Sequence, residues 1–175
     1  AVFHDMNGPE FSDLKISNKY RKISYPWGIV LNLKGERFVD EGEDFRNFTY
    51  AKFGREVINQ PKQVGWQIFD KKVRHMLYPE YDVKSATMVK ANSIKDLIYK
   101  IKGMNRSKAL KTIFLYNNAV TKNIKFDPTI KDGKKTTGLK INKTNWANLI
   151  DKPPFYAYGV TSVSYTHLRA HETVS

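Results

Sequence analysis

The chain holds 175 residues, 41% of them hydrophobic and 13% aromatic, enough for one core and too few for two ordinary domains. It contains no cysteine, which excludes a disulfide scaffold, a thiolate metal site and a cysteine nucleophile. Its 30 Lys and Arg against 17 Asp and Glu leave a formal charge of +13, and no apolar run approaches the roughly 20 residues of a membrane span, so a soluble, basic, cytoplasmic domain with no membrane partner is expected.

Residues 1–24 are polar and read as loop, with Asn7-Gly8-Pro9 a turn signal. Gly28–Leu31 predicts a short apolar strand, Asn32–Glu36 a turn around Gly35, and Arg37–Asp40 a returning strand, together a β-hairpin. The acidic loop Glu41-Gly42-Glu43-Asp44 follows and ends at Phe45-Arg46-Asn47. From Thr49 to about Asn59 the spacing predicts a helix with Tyr50, Phe53, Val57 and Ile58 on one face, stopped by Pro61. Gly65–Phe69 reads as a buried strand, with Asp70 capping a short helix that runs to Met76. Thr87–Lys90 predicts another strand. Ser93 and Asp96 approximate a capping box, and Ile94, Leu97, Ile98 and Ile101 then fall at i, i+3, i+4 and i+7. Gly103 ends that helix, and Ser107 opens another with Leu110, Ile113, Phe114 and Val120 inward. Residues 125–145 read as loop, and Asp151-Lys152-Pro153-Pro154 as a rigid link into a last strand, Phe155–Val160. The irregular mixture predicts an α+β fold: a small mixed or antiparallel sheet with a β-hairpin and several packed helices.

The charge is uneven. Residues 1–89 carry 14 basic and 12 acidic side chains, residues 90–152 carry 15 and 4. The excess is lysine, with Arg106 the only arginine from 90 to 152, and it is spread along helices and loops. Base and phosphate readers lean on arginine and on aromatic stacking platforms, so this half reads as a solvated lysine face and nucleic acid is not an expected partner. A stand-alone polyanion- or nucleic-acid-binding module is the alternative reading. Residues 162–175 read as a non-native tail, which sets aside His167 and His171 despite their spacing of four.

That leaves His4 and His75, and no metal site is expected. His75, beside Met76 and Leu77, reads as a structural helix residue. Gly28 and Gly35 flank a hairpin, the wrong setting for a dinucleotide fingerprint. The segment Asp40–Arg55 is the richest. Arg46 sits at a loop-to-helix junction between Phe45 and Phe48, where a guanidinium can take a carboxylate bidentately. It can equally staple the loop by pairing with Asp40, Glu41, Glu43 or Asp44, and from composition alone the staple is the commoner outcome.

Three runs belong together: Tyr25-Pro26-Trp27-Gly28-Ile29-Val30, Gly35-Glu36-Arg37-Phe38-Val39-Asp40-Glu41, and Asp44-Phe45-Arg46-Asn47-Phe48-Thr49-Tyr50-Ala51-Lys52-Phe53-Gly54-Arg55. Trp66-Gln67-Ile68-Phe69-Asp70, Tyr116-Asn117, Lys131-Asp132-Gly133, Trp146-Ala147-Asn148 and Pro153-Pro154-Phe155-Tyr156-Ala157 continue the pattern over about residues 1–161. This pattern resembles the fumarate reductase/succinate dehydrogenase flavoprotein family, and within it the tricarballylate-dehydrogenase-like enzymes.

The resemblance implies that residues 25–152 are a capping domain that closes with a flavin domain over a di- or tricarboxylate. Residues 1–24 would be the edge of that flavin domain or a linker, and 153–161 a return strand toward it. It implies FAD as cofactor, with hydride passing between a substrate carbon and the flavin N5. Arg46 stands at the position of the family's catalytic arginine, a general acid or base that also binds substrate. Tyr50 and His4 are further implied substrate-binding residues, His4 as a neighbour of the family's substrate-side histidine. Where fumarate reductases place a relay arginine this chain has Ser24, which favours the dehydrogenase branch. The family's glycine fingerprint for FAD is absent from this sequence, so the chain by itself is expected to bind FAD weakly or not at all and to catalyse nothing, its implied partners being a polycarboxylate and the flavin domain of the same protein.

Overall fold

Five short strands pair into one antiparallel sheet in the computed structural model, which describes residues 2–8 and 18–162. Among the described residues the strands are β1 (Phe3–Asp5), β2 (Ile29–Asn32), β3 (Gly65–Phe69), β4 (Met88–Ala91) and β5 (Phe155–Ser162). The helices are α1 (Arg46–Ile58), α2 (Lys71–Arg74), α3 (Ile94–Tyr99) and α4 (Arg106–Ala119). The sheet runs β1-β5-β3-β2, and β4 also pairs with β5. On one edge of β5, β4 takes Phe155–Tyr158 and β1 takes Val160–Ser162, while β3 takes the other edge from Tyr156 to Val160. The fold is therefore α+β, as expected.

Alternation along β2 divides the core. Ile29 and Leu31 join Trp66, Ile68 and Ala157 against α3, the turn that follows it and α4, through Leu97, Ile98, Ile101, Ala109, Ile113 and Tyr116. Val30 faces the other side, with Phe3, Tyr25, Val39 and the α1 residues Phe53 and Val57. A third cluster, Phe69, Val73, Leu77, Tyr81 and Tyr158, closes the end of the sheet near α2. Among the described residues no helix is long and apolar enough to cross a membrane.

Several elements follow local chemistry. Asp70 caps α2 by accepting from Lys72 N at 2.9 Å, Ser93 caps α3 by accepting from Asp96 N at 3.0 Å, and Asn105 caps α4 by accepting from Lys108 N at 3.1 Å.

Other expectations are corrected. The first residues are not simply loop: Val2–Asp5 are buried and Phe3–Asp5 pair with β5, because three residues show no periodicity while the β5 edge needs a partner. The chain does turn back after β2, but the return makes one bridge, Leu31 to Arg37, and not a strand. Asn32 closes that turn tightly, its N–H donating to Glu36 O and its side chain accepting from Glu36 N. Arg37 then turns inward to Glu41, which bends the backbone out of the ladder. Helix α1 starts at Arg46, three residues early, with Tyr50 outside and Thr49 buried; Phe114 on α4 likewise faces out. Ser162 belongs to β5 and pairs with Phe3; the rest of the proposed tail, 163–175, and residues 9–17 lie outside the described residues.

Candidate functional site

The site begins with two turns bolted to the core. Pro26 starts a short 3-10 turn, Tyr25–Trp27, closed by Gly28 N donating to Tyr25 O. A side chain at Gly28 would meet Ile68 O at 2.2 Å, so only glycine lets this turn lie against β3. The Tyr25 hydroxyl lies 2.6 Å from Thr49 Oγ1, fixing the turn to the first turns of α1.

From below, Lys143 reaches up and donates to Pro26 O and Gly28 O, each at 2.7 Å. It is fully buried, contrary to the solvated face expected for the lysines, and so is Lys22, which donates to Glu80 O. A long amine can be buried when backbone carbonyls satisfy it and a carboxylate stands near, and local patterning does not reveal either. Burial pulls the Lys143 amine down to about 8, against the Glu41 carboxylate, which favours its charge.

Glu41 is the hub of this buried layer. It accepts from Val30 N at 2.9 Å and from Arg37 Nε at 3.0 Å, with Arg37 Nη2 on its other oxygen. Burial opposes the Arg37 charge, and the adjoining carboxylate more than offsets that, so its pKa is raised. The arginine that staples the acidic loop is thus Arg37 and not Arg46.

The second turn carries Trp146. Its backbone adopts φ 54°, its N–H donates to Asp132 Oδ1 at 2.9 Å, and its indole Nε1 donates to Ile130 O at 2.8 Å. Asp132 also accepts from Lys134 N and Asp127 N, which turns the loop around one carboxylate. The Trp146 ring meets Trp27 edge-on at 5.5 Å and Phe45 at 5.4 Å.

Between these turns and the start of α1 lies a cavity of about 270 Å³, lined by Ile23, Pro26, Trp27, Phe45, Arg46, Asn47, Phe48, Pro128 and Trp146. Most of its lining side chains are apolar; Asn47 is polar, and Arg46 is the charged lining residue. Among the described residues no carboxylate lies within ion-pair distance of Arg46; its guanidinium carbon lies over the Tyr78 ring, 4.2 Å from the centroid. The fork is therefore available to an incoming carboxylate. Phe48 is 76% exposed at the rim.

The other residues singled out from the sequence are not gathered at this cavity. His4 is buried in β1, its Nδ1 2.9 Å from Asp5 O and its ring against Tyr20, and burial lowers its pKa. Tyr50 lies on α1 but outside the cavity lining, and His75 is exposed after α2. Among the described residues no group of three His, Asp or Glu could hold a metal ion. Reading the residues in isolation missed Tyr78 and Lys143. Trp146 had a signal, a large aromatic in a loop of small and polar residues.

This fold is one that oxidoreductases carry as a segment of a longer chain. It is similar to part of a flavocytochrome c3 fumarate reductase solved in its open conformation, at 22% identity and TM-score 0.58 over 91% of this chain and 25% of that one. It is also similar to 3-ketosteroid Δ1-dehydrogenase from Sterolibacterium denitrificans in complex with 1,4-androstadiene-3,17-dione, at 20% identity and TM-score 0.55 over 92% of this chain and 31% of that one. A third is 3-ketosteroid Δ4-(5α)-dehydrogenase from Rhodococcus jostii RHA1 in complex with 4-androstene-3,17-dione, at 15% identity and TM-score 0.53 over 78% of this chain and 27% of that one. The chain thus spans a quarter to a third of the length of these proteins. No family model matches the sequence, and no curated protein matches it.

Proposed function

We propose that this chain is the substrate-side capping region of an FAD-dependent oxidoreductase acting on a CH–CH or C=C bond of a di- or tricarboxylate of the tricarballylate or fumarate type. The observation that carries the reading is Arg46: a guanidinium with no carboxylate partner among the described residues, held at an aromatic-walled cavity, in a fold shared with part of a fumarate reductase. In this reading residues 25–152 form the cap, and the strands from both ends of the described chain, β1 and β5, lie where it adjoins a flavin domain.

The described residues do not fit FAD. The positive-φ glycines 35, 103, 133 and 138 sit in turns, and α1 opens with Arg46-Asn47-Phe48, so no glycine loop leads from a strand into a helix N-terminus to receive a pyrophosphate. Flavin binding is therefore assigned to the remainder of a longer protein. What this chain supplies is the substrate side. Arg46 takes one carboxylate as a bidentate fork, and the walls of Trp27, Phe45 and Trp146 exclude water around the carbon skeleton. The same guanidinium, once desolvated by closure, is the group placed to exchange a proton at the neighbouring carbon.

The test is a calorimetric titration of tricarballylate and citrate into the chain and into Arg46→Ala. Loss of one charge-assisted fork is expected to weaken binding by about tenfold or more. Equal affinities would remove Arg46 from the role.

A further inference from the structure

The arginine at the cavity has an aromatic neighbour, and that neighbour has an anchor. Arg46 lies with its guanidinium carbon 4.2 Å from the Tyr78 ring centroid, well inside cation–π range. Tyr78 stands at the head of the short 3-10 turn Pro79–Asp82, and its own N–H donates to Ser24 Oγ at 3.1 Å. Ser24 is buried, and its N–H donates to the Tyr81 hydroxyl at 2.8 Å; that hydroxyl donates in turn to Gln67 Oε1 on β3 at 2.7 Å. Both Tyr78 and Tyr81 are thus pinned to one buried serine, and through Gln67 to the middle of the sheet. Arg46 itself opens α1.

We propose that Tyr78, held by Ser24, is a positioning residue for Arg46: the ring is a platform that fixes the plane of the guanidinium and leaves its N–H edge open to a carboxylate. This rests on the reading of Arg46 as a carboxylate-binding residue. The physical logic is preorganisation. A free arginine side chain must surrender its rotamers when it docks a carboxylate, whereas a guanidinium already held over a ring surrenders less. A cation–π contact also suits a binding role, because the ring carries no charge and does not compete with a carboxylate for the guanidinium's positive charge. An ion-paired arginine would have to give up a partner before binding; this one does not.

The experiment uses the chain itself, isotope-labelled. In the wild type, ring current from Tyr78 is expected to displace the Arg46 δ-proton and Nε–H resonances upfield. Tyr78→Phe keeps the ring and is expected to keep both that displacement and the wild-type affinity for tricarballylate. Tyr78→Leu keeps the apolar bulk and loses the ring; the displacement should vanish and the affinity fall about tenfold, with the amide spectrum still that of the folded chain. Ser24→Ala should give a smaller loss of both. An Arg46 with ordinary shifts in the wild type overturns the proposal without any variant, as does a Tyr78→Leu chain that binds tricarballylate as the wild type does. If the wild type shows the ring-dependent displacement but no carboxylate binding, the platform stands and the assignment of Arg46 to carboxylates falls.

Discussion

Glu41 is the residue on which the site's foundations converge. It pairs with Arg37, accepts from Val30 N on the sheet and stands near the Lys143 amine beneath the Trp27 turn. Replacing one member of a buried pair leaves the other charge desolvated and unmatched, so Glu41→Ala is expected to cost about 3–5 kcal/mol in urea unfolding. Removing both charges together, as Arg37→Met with Glu41→Leu, should recover much of that loss; a single-variant cost below about 1 kcal/mol would show that the pair is not a support. The sequence already told of a stapled acidic loop, since an arginine close to four acids commonly pairs with one of them. It points to Arg46, whereas the structure pairs Arg37 with Glu41. Arg37 and Arg46 look equally exposed on paper, and the choice depends on the tight turn at Asn32, which rotates Arg37 inward. Tyr78 was illegible for a similar reason: its distance from Arg46 is set by Ser24, more than fifty positions away in sequence.

Among the elements, α3 was the most legible, because a capping serine and four apolar residues at helical spacing agree with each other. Helix α1 was legible in its interior and wrong at its start, since Phe45 offers no side-chain cap and nothing in the local residues marks Arg46 as helical. On α4 the outward face carries Phe114, 65% exposed among the described residues, and apolarity alone misassigned it. The long loops carry their own rules. The 40–44 loop lies against the 144–146 turn so closely that a side chain on Gly42 would meet Asn145 O at 2.1 Å, while Asn145 Nδ2 donates to Gly42 O and Asp40 Oδ1 accepts from Thr144 N. Gly42→Ala is therefore expected to push the two loops apart, costing about 3 kcal/mol and freeing Trp146. Tryptophan fluorescence should shift toward that of an exposed indole; an unchanged spectrum with unchanged stability would show that the loops do not need this contact.

At the scale of the whole molecule, buried titratable groups give the fold a pH signature. Lys143 sits at about 8 against an ordinary 10.5, and burial lowers Lys22 in the same direction. Between those two values the unfolded chain binds more protons than the folded one, so stability rises with pH across about 8 to 10.5. Burial raises Tyr25, Tyr81, Tyr116 and Tyr158 above the ordinary 10.0, so above that value the folded chain holds protons that the unfolded chain has lost, and stability falls. The expected profile climbs from about pH 8 to a maximum at about pH 10, and Lys143→Met should flatten the climb; a steady decline from neutral pH would refute it. The fold class was legible because strand and helix signals alternate irregularly along the chain, whereas the strand order was not. β5 joins strands as far away in sequence as β1, and no local pattern encodes such pairing. That order has a consequence for biosynthesis. Because β5 is at once the strand that pairs with β1, β3 and β4 and the last of the described strands to leave the ribosome, only the β2–β3 ladder can form until Phe155–Ser162 has emerged. The nascent chain therefore carries β1 and β4 unpaired in this sheet until residues 155–162 have emerged, and the sheet closes only then.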